Sequence, residues 1–209
     1  MTSVTPRPTS GRIDTADHHD PTWHIHDVAG DFKLLDAWRL PVAGAVEKFP
    51  ELIRLFLSLD IGDDEGSRAS KFLFAVRYRL GELMGWDDEV LTLPIPGCTE
   101  TSLRERLPAE LQGTWEAVDD SQSEFQIVYE TGNEAVVELS NSTVHAVVHF
   151  ASIVDGERFV AQMGIYVKNR GRLGQLYMPA IAPFRHYIVY PALMRRLESA
   201  WQLADVEGP

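Results

Sequence analysis

At Phe125 the apolar residues of this chain change period, and no other feature limits its fold as much. Phe125–Glu130, Glu134–Asn141, Thr143–Ile153, Arg158–Lys168 and Arg172–Ala182 are runs rich in Val, Ile, Phe and Tyr. Such runs read as strands. Thr131-Gly132-Asn133, Asp155-Gly156 and Asn169-Arg170-Gly171 join them with residues that tight turns favour. The expectation is an antiparallel meander of five strands. Upstream the period is helical: Ala45, Val46, Phe49, Leu52, Ile53, Phe56 and Leu59 line one face, with Pro50 near its start. Ser67 is placed to cap a second helix with Phe72, Val76, Leu80, Leu83 and Met84 on its apolar face and Gly85 at its end. Phe32 to Leu40 reads as a first strand closed by Pro41. Pro183 opens a last helix, in which Pro191 marks a bend or break.

Residues 1–31 are rich in Thr, Ser, Pro, Asp and His and read as a flexible N-terminal segment. Residues 32–205 then form one α+β domain: a strand, two helices, an antiparallel meander and a long C-terminal helix. That is the element order of the helix-grip (START-like) fold, in which a curved antiparallel sheet wraps the final helix around a cavity.

Composition narrows the function. The formal net charge is −12 over 209 residues, which argues against binding nucleic acid or anionic membranes. The charge is uneven. Residues 1–124 hold 12 Lys/Arg and 23 Asp/Glu, whereas 158–196 hold 7 basic residues and no acid. Cys98 is the only cysteine, which excludes an intrachain disulfide and a cysteine-rich zinc site. No apolar run reaches the roughly 18 residues of a membrane span and no signal pattern opens the chain. A cytoplasmic location is the expectation.

Several motifs carry a resemblance. They are Leu80-Gly81…Gly85-Trp86-Asp87, Ser102-Leu103…Arg106-Leu107-Pro108, Asn141-Ser142-Thr143-Val144-His145…His149, Tyr166-Val167-Lys168…Gly171…Gly174…Tyr177-Met178, and Pro183-Phe184-Arg185…Val189-Tyr190-Pro191-Ala192-Leu193-Met194-Arg195. Over roughly residues 32–203 the chain resembles a bacterial family, domain of unknown function 2867. The resemblance implies a helix-grip domain akin to lipid-transfer and polyketide-cyclase-like domains, alone or C-terminal to an NAD(P)-binding domain. It brings no reaction and no catalytic residues. The chain itself shows no Gly-rich dinucleotide fingerprint, and no cofactor is expected.

His145 and His149 are the sharpest chemical pattern. On a strand, four residues span about 13 Å, too far for two rings to share a zinc ion at about 2 Å each. No metal site is expected there. Their even offset puts both rings on one face, with Glu138 and Ser140 before them and Gln162 and Tyr166 after them. Alternation assigns Ala135, Val137, Leu139, Val144, Ala146, Val148, Phe150, Phe159, Ala161, Met163, Ile165 and Val167 to the inside. The His/Glu face then lies outside, against solvent or a second subunit. The alternative is that His145, His149, Glu138 and Tyr129 converge in a cavity and do acid–base work.

Arg185 and His186 stand in the first turn of the last helix, where the helix dipole disfavours cations. An internal carboxylate such as Glu130 or Glu138 would explain them, and so would a bound anionic ligand. Trp86, Phe72, Phe74, Phe184, Tyr177 and Tyr190 are the expected apolar walls of such a ligand site. Lys168, Arg170 and Arg172 cluster at an expected hairpin, where Gly171 and Gly174 read as turn glycines. His18, His19, His24 and His26 lie in the flexible segment, where nothing would hold a metal geometry. Cys98 has no neighbouring base in the sequence. Three functions remain open: a small-molecule binding domain, an acid–base enzyme of cyclase, dehydratase or hydrolase type, and an interaction module that forms a homodimer or joins an NAD(P)-binding protein.

Overall fold

The computed structural model describes residues 10–59, 93–114 and 125–207. The architecture is α+β, with a curved six-stranded antiparallel sheet and a C-terminal helix. The strands are β1 (Gly11–Ile13), β2 (Lys33–Ala45), β3 (Gln126–Glu130), β4 (Glu134–Ser140), β5 (Val144–Asp155) and β6 (Arg158–Asn169), in the spatial order β1-β2-β6-β5-β4-β3. Four of the five expected runs form the meander β3 to β6. The first strand runs on past Pro41 to Ala45, and the proline falls inside a register shift between Arg39 and Ala43. A residue with no N–H is tolerated at such an irregularity.

The fifth run, Arg172–Ala182, is not a strand. Gly171–Ala180 is a helix, α3, after the four-residue α1 (Ile25–Val28) and α2 (Phe49–Ser58). Leu173, Leu176, Tyr177, Ala180 and Ile181 in fact recur at helical spacing. Gly171 turns the chain at φ +65°, and Gly174 lets the helix pass the sheet, since a Cβ there would lie 2.4 Å from the Thr143 carbonyl oxygen. The glycine pair therefore serves a strand-to-helix junction, not a hairpin. Pro183 begins a short turn (Ala182–Phe184), followed by a π-helical turn (Arg185–Val189) that leads into α4 (Tyr190–Glu207). Pro191, near the start of α4, cannot donate to the preceding turn, which accounts for the widened winding beside it.

Both faces of the sheet are covered. Of the apolar set expected inside, Ala135, Val137, Val148, Phe150, Phe159, Ala161 and Met163 pack with Phe49, Leu52, Ile53 and Phe56 of α2 and with Leu193, Met194, Leu197 and Trp201 of α4. The opposite face was expected to look outward, yet a second core covers it. Trp23, Ile25, Val28, Ala29 and Phe32 join Ile95, Leu103, Leu107 and Leu111 over Tyr129, Val136, Val147 and Tyr166. Residues 10–31, expected as a flexible lead-in, thus lie packed on this face. A few large side chains suffice there because the sheet's own polar groups hold the segment down. The second expected helix, with Phe72, Phe74 and Trp86, lies outside the described residues.

Side chains from outside the sheet also meet its backbone: Arg104 Nε donates to the Ile127 carbonyl on the edge strand β3 at 2.6 Å, and Trp201 Nε1 donates to the Ala43 carbonyl on the part of β2 beyond β1 at 3.2 Å. Trp201→Phe keeps the ring against Phe159 but removes the N–H donor. It is expected to cost about 1 kcal/mol, read as a lower urea midpoint at unchanged slope.

Candidate functional site

Two polar clusters lie on opposite faces of the sheet. On the face under the N-terminal segment, β4 presents Glu134 and Glu138, and β5 presents His145 and His149, all essentially unexposed. His145 Nε2 lies 2.8 Å from Glu138 Oε2, and His149 Nε2 lies 3.1 Å from Glu134 Oε1. The second pair is at ion-pair distance but off the hydrogen-bond direction, and among the described residues His149 Nε2 and His145 Nδ1 have no aligned partner. The two rings thus serve different carboxylates. Among the described residues no group of three or more His, Cys, Asp or Glu side chains is arranged to hold a metal ion.

Each carboxylate also receives the start of a short helical turn from the covering layer. Glu134 accepts the N–H groups of His24 (3.0 Å) and Ile25 (2.9 Å), at the start of α1. Tyr129 donates its hydroxyl to Glu134 at 2.5 Å. Glu138 accepts the Ser102 hydroxyl (2.5 Å) and the Leu103 N–H (3.1 Å), at the start of the turn Leu103–Arg106. Orphan N–H groups at a helix start bind anions. The same device occurs twice, a strand glutamate backed by a histidine and capping a turn of the cover.

The electrostatics fit that role. Burial alone would raise Glu134, but His149, the Tyr129 hydroxyl and the His24 N–H outweigh it and hold the carboxyl below its usual range. Burial and the Glu134 charge push the Tyr129 phenol far above its usual range. Burial and the same charge raise Tyr166 to about 12. At neutral pH both phenols are therefore un-ionised donors.

The structure places the expected His145, His149, Glu138 and Tyr129 on one face but in two separate clusters, His145 with Glu138 and His149 and Tyr129 with Glu134, buried beneath the cover and not on an outward surface. Glu134 was missed, although its even offset from Glu138 puts it on the same face. His18 was missed because its segment reads as a tail.

The second cluster lies on the helix side of β2, where Asp36 and Trp38 are neighbours on one face. Asp36 accepts from Arg185 Nη2 at 3.0 Å and from His186 Nε2 at 2.6 Å. The Tyr190 hydroxyl donates to it at 3.3 Å, and Arg12 stands at 3.4 Å. The internal partner of Arg185 is thus Asp36, and not Glu130 or Glu138. A lone acid within Leu34-Leu35-Asp36-Ala37-Trp38 was the available signal. Trp38 packs on Tyr190 with ring centroids 4.9 Å apart, and His186 stacks on Tyr190 at 5.9 Å. Two buried donors there, Trp38 Nε1 and Arg185 Nε, have no acceptor among the described residues, and Trp38 is only 8% exposed.

Apolar surface adjoins this cluster. Ile165, directly across from Asp36, is half-buried, as are Leu139 and Ala146 further along the same face. Met178 of α3 and Ile181 pack beside Ile165 and Ala146. Phe184 is half-buried and Tyr187 is 81% exposed on the π-helical turn, and Tyr177 lies on α3. Trp86, Phe72 and Phe74 lie outside the described residues.

The basic strip meets acids of the first half of the chain, as Arg185 does with Asp36. Lys168 Nζ donates to Asp31 Oδ2 at 2.6 Å, and Arg106 grips the same carboxylate with 2.7 and 3.2 Å bonds. Burial opposes the ionised form of Asp31, but these two cations prevail and hold it at about 2. Cys98 Sγ is 2.7 Å from Arg106 Nη2 and 3.7 Å from both Lys168 Nζ and Asp31 Oδ2, so its neighbours are two cations and the carboxylate they hold. Arg170 donates to the carbonyls of Pro94 and Leu93 and to the Ser140 hydroxyl.

No curated protein and no solved structure matches the chain. No helix among the described residues is long and apolar enough to cross a membrane. The family model described as Protein of unknown function (DUF2867) matches residues 28–192, and the chain belongs to that family.

Proposed function

We propose that the domain is of helix-grip type and binds a small amphipathic molecule on the helix side of the sheet, between β2, β6, α3 and the π-helical turn. The observation that carries this reading is the pair of buried N–H donors, Trp38 Nε1 and Arg185 Nε, that find no acceptor among the described residues. A buried donor without an acceptor costs about 1–3 kcal/mol, and native proteins rarely retain one without use. A carbonyl or carboxylate oxygen satisfies such a donor. The half-buried Ile165, Ala146 and Leu139 offer apolar contact for the rest of the molecule. Arg12, Arg185 and His186 around a single Asp36 favour a neutral or anionic head over a cationic one. Apolar walls with a few placed polar groups are the usual composition of a ligand site, and π-helical turns recur at such places.

The acid–base reading uses the other face. His149, Glu134 and Tyr129 form a chain of proton-carrying groups there, but both glutamates already cap the cover. That reading requires the cover to lift.

Native mass spectrometry of the purified protein is expected to show a retained organic mass. Titration with anilinonaphthalene sulfonate, an anionic amphiphile, should saturate at one site. Trp38→Phe and Arg185→Gln are each expected to weaken that binding about tenfold, a loss of about 1.4 kcal/mol. No retained mass together with no saturable dye binding would sink the proposal, as would binding indifferent to both substitutions.

A further inference from the structure

His18 fastens the N-terminal segment to the sheet over Gly164 of β6. A Cβ at Gly164 of β6 would stand 2.3 Å from His18 Nε2 and 2.6 Å from its Cδ2, so the ring is seated where the strand has no side chain. Strand-interior glycines mark such close approaches. In that seat His18 is 1% exposed. Its Nδ1 lies 2.9 Å from Gln162 Oε1, and its Nε2 lies 2.9 Å from His149 Nδ1. Trp23, His149 and Tyr166 surround the ring at centroid distances of 4.9, 5.0 and 6.4 Å.

Two imidazole nitrogens at that separation share one proton. A second proton there sets two N–H groups face to face and makes His18, whose Nδ1 already donates to Gln162, a cation in a dry seat. The other titratable groups around the pair do not offset this. From the sheet come Tyr129, Tyr166 and Glu134, and Glu134 faces the opposite ring nitrogen of His149 while already accepting two N–H groups and a phenol. From the segment itself comes His26, whose charge works against a protonated His18. Asp20 is engaged by Thr22. The family match starts at residue 28, so His18, Trp23 and Ile25 precede it, while Glu134, His149, Gln162 and Gly164 fall inside it.

We propose that residues 10–32 are an acid-released strap, closed at neutral pH over two neutral histidines and opened when His18 and His149 take up protons, which uncovers Glu134, His149 and Tyr129. The direction follows from linkage. Burial and the neighbouring His149 pull His18 from 6.5 down to about 3, against the opposing bond to Gln162. Burial also lowers His149, against the pull of Glu134. A closed form with depressed imidazole pKa values binds fewer protons than the open form. Closure is therefore fully favoured above about pH 6.5 and is lost as pH falls toward 3. One such histidine raises the open-to-closed ratio about 30-fold between pH 7.5 and 5.

Amide hydrogen exchange on the whole protein tests this, with rates corrected for the intrinsic effect of pH. Protection of the Trp23, Asp27, Val28 and Ala29 amides, all hydrogen-bonded within the segment, is expected to fall tenfold or more from pH 7.5 to 5. The β4–β6 amides should keep theirs. His18→Gln should flatten that response. Gly164→Ala should open the strap at pH 7.5 with the sheet still protected, because alanine is otherwise no worse than glycine in a strand. Strap protection that is constant with pH, a response undiminished in His18→Gln, a closed strap in Gly164→Ala, or joint loss of strap and sheet protection would each overturn the proposal.

Discussion

Glu134→Ala is expected to lower the unfolding free energy by about 3–5 kcal/mol, the usual consequence of removing one member of a buried ionic network. The substitution strips the acceptor from three donors at once: the Tyr129 hydroxyl and the N–H groups of His24 and Ile25. It also leaves His149 facing no carboxylate. Water cannot readily replace the lost oxygens, because Trp23, Ile25 and Tyr129 seal the site. Glu134→Gln keeps one oxygen but turns N–H donors toward N–H donors, and should fall between wild type and Glu134→Ala. For a domain of this size 1 kcal/mol moves the melting temperature by about 2–4 °C, so a fall of about 6–20 °C is expected for alanine. The pH dependence has a definite sign. A carboxyl held below its usual range contributes stability that is present above the unfolded-state value and lost as pH falls through the folded-state one. The wild type should therefore lose stability more steeply in acid than Glu134→Ala does. Urea unfolding at pH 7 and pH 4 measures both effects, and equal melting temperatures for wild type and Glu134→Ala would exclude this capping role.

Alternation along β4, β5 and β6 separates the two faces correctly, because one residue of slip would exchange the whole apolar set for the polar one. What the strands do not reveal is the cover on the polar face. Its material is Trp23, Ile25, Val28, Ala29 and Phe32 within a Thr/Asp/His-rich stretch, too sparse for hydrophobic periodicity to register. The attachment comes instead from Glu134 and Glu138 as caps and from His18 in the Gly164 seat, contacts between residues more than thirty positions apart. Such pairings are invisible to any local pattern. The error at Arg172–Ala182 has another origin. Leu, Tyr and Met there fit a strand by composition, while their spacing fits a helix, and the glycine at Gly171 serves either a hairpin or a helix start. Arg185 shows the opposite balance. Its unfavourable dipole position is readable, and it implies a carboxylate, but only the placement of β2 beside β6 identifies that carboxylate as Asp36.

Asp36 carries the other large expected effect. Asp36→Ala leaves Arg185, His186 and the Tyr190 hydroxyl without their shared acceptor, and a loss of about 3–5 kcal/mol is expected on the same reasoning as for Glu134. Arg185→Met on its own should cost less, since Asp36 keeps His186, Tyr190 and Arg12. In Asp36→Ala/Arg185→Met the stranded guanidinium is gone, so the double variant should be more stable than the sum of the two losses, with a coupling of about 2 kcal/mol. Strict additivity would mean that the pair is solvated and contributes little. Asp36→Asn separates stability from binding. It preserves shape while removing the negative charge that competes with an anionic head for Arg185. Binding of anilinonaphthalene sulfonate should therefore tighten several-fold even as the urea midpoint falls. If the asparagine variant binds the dye no better than wild type, the guanidinium is committed to the fold and the ligand is met by Trp38 and the apolar wall alone.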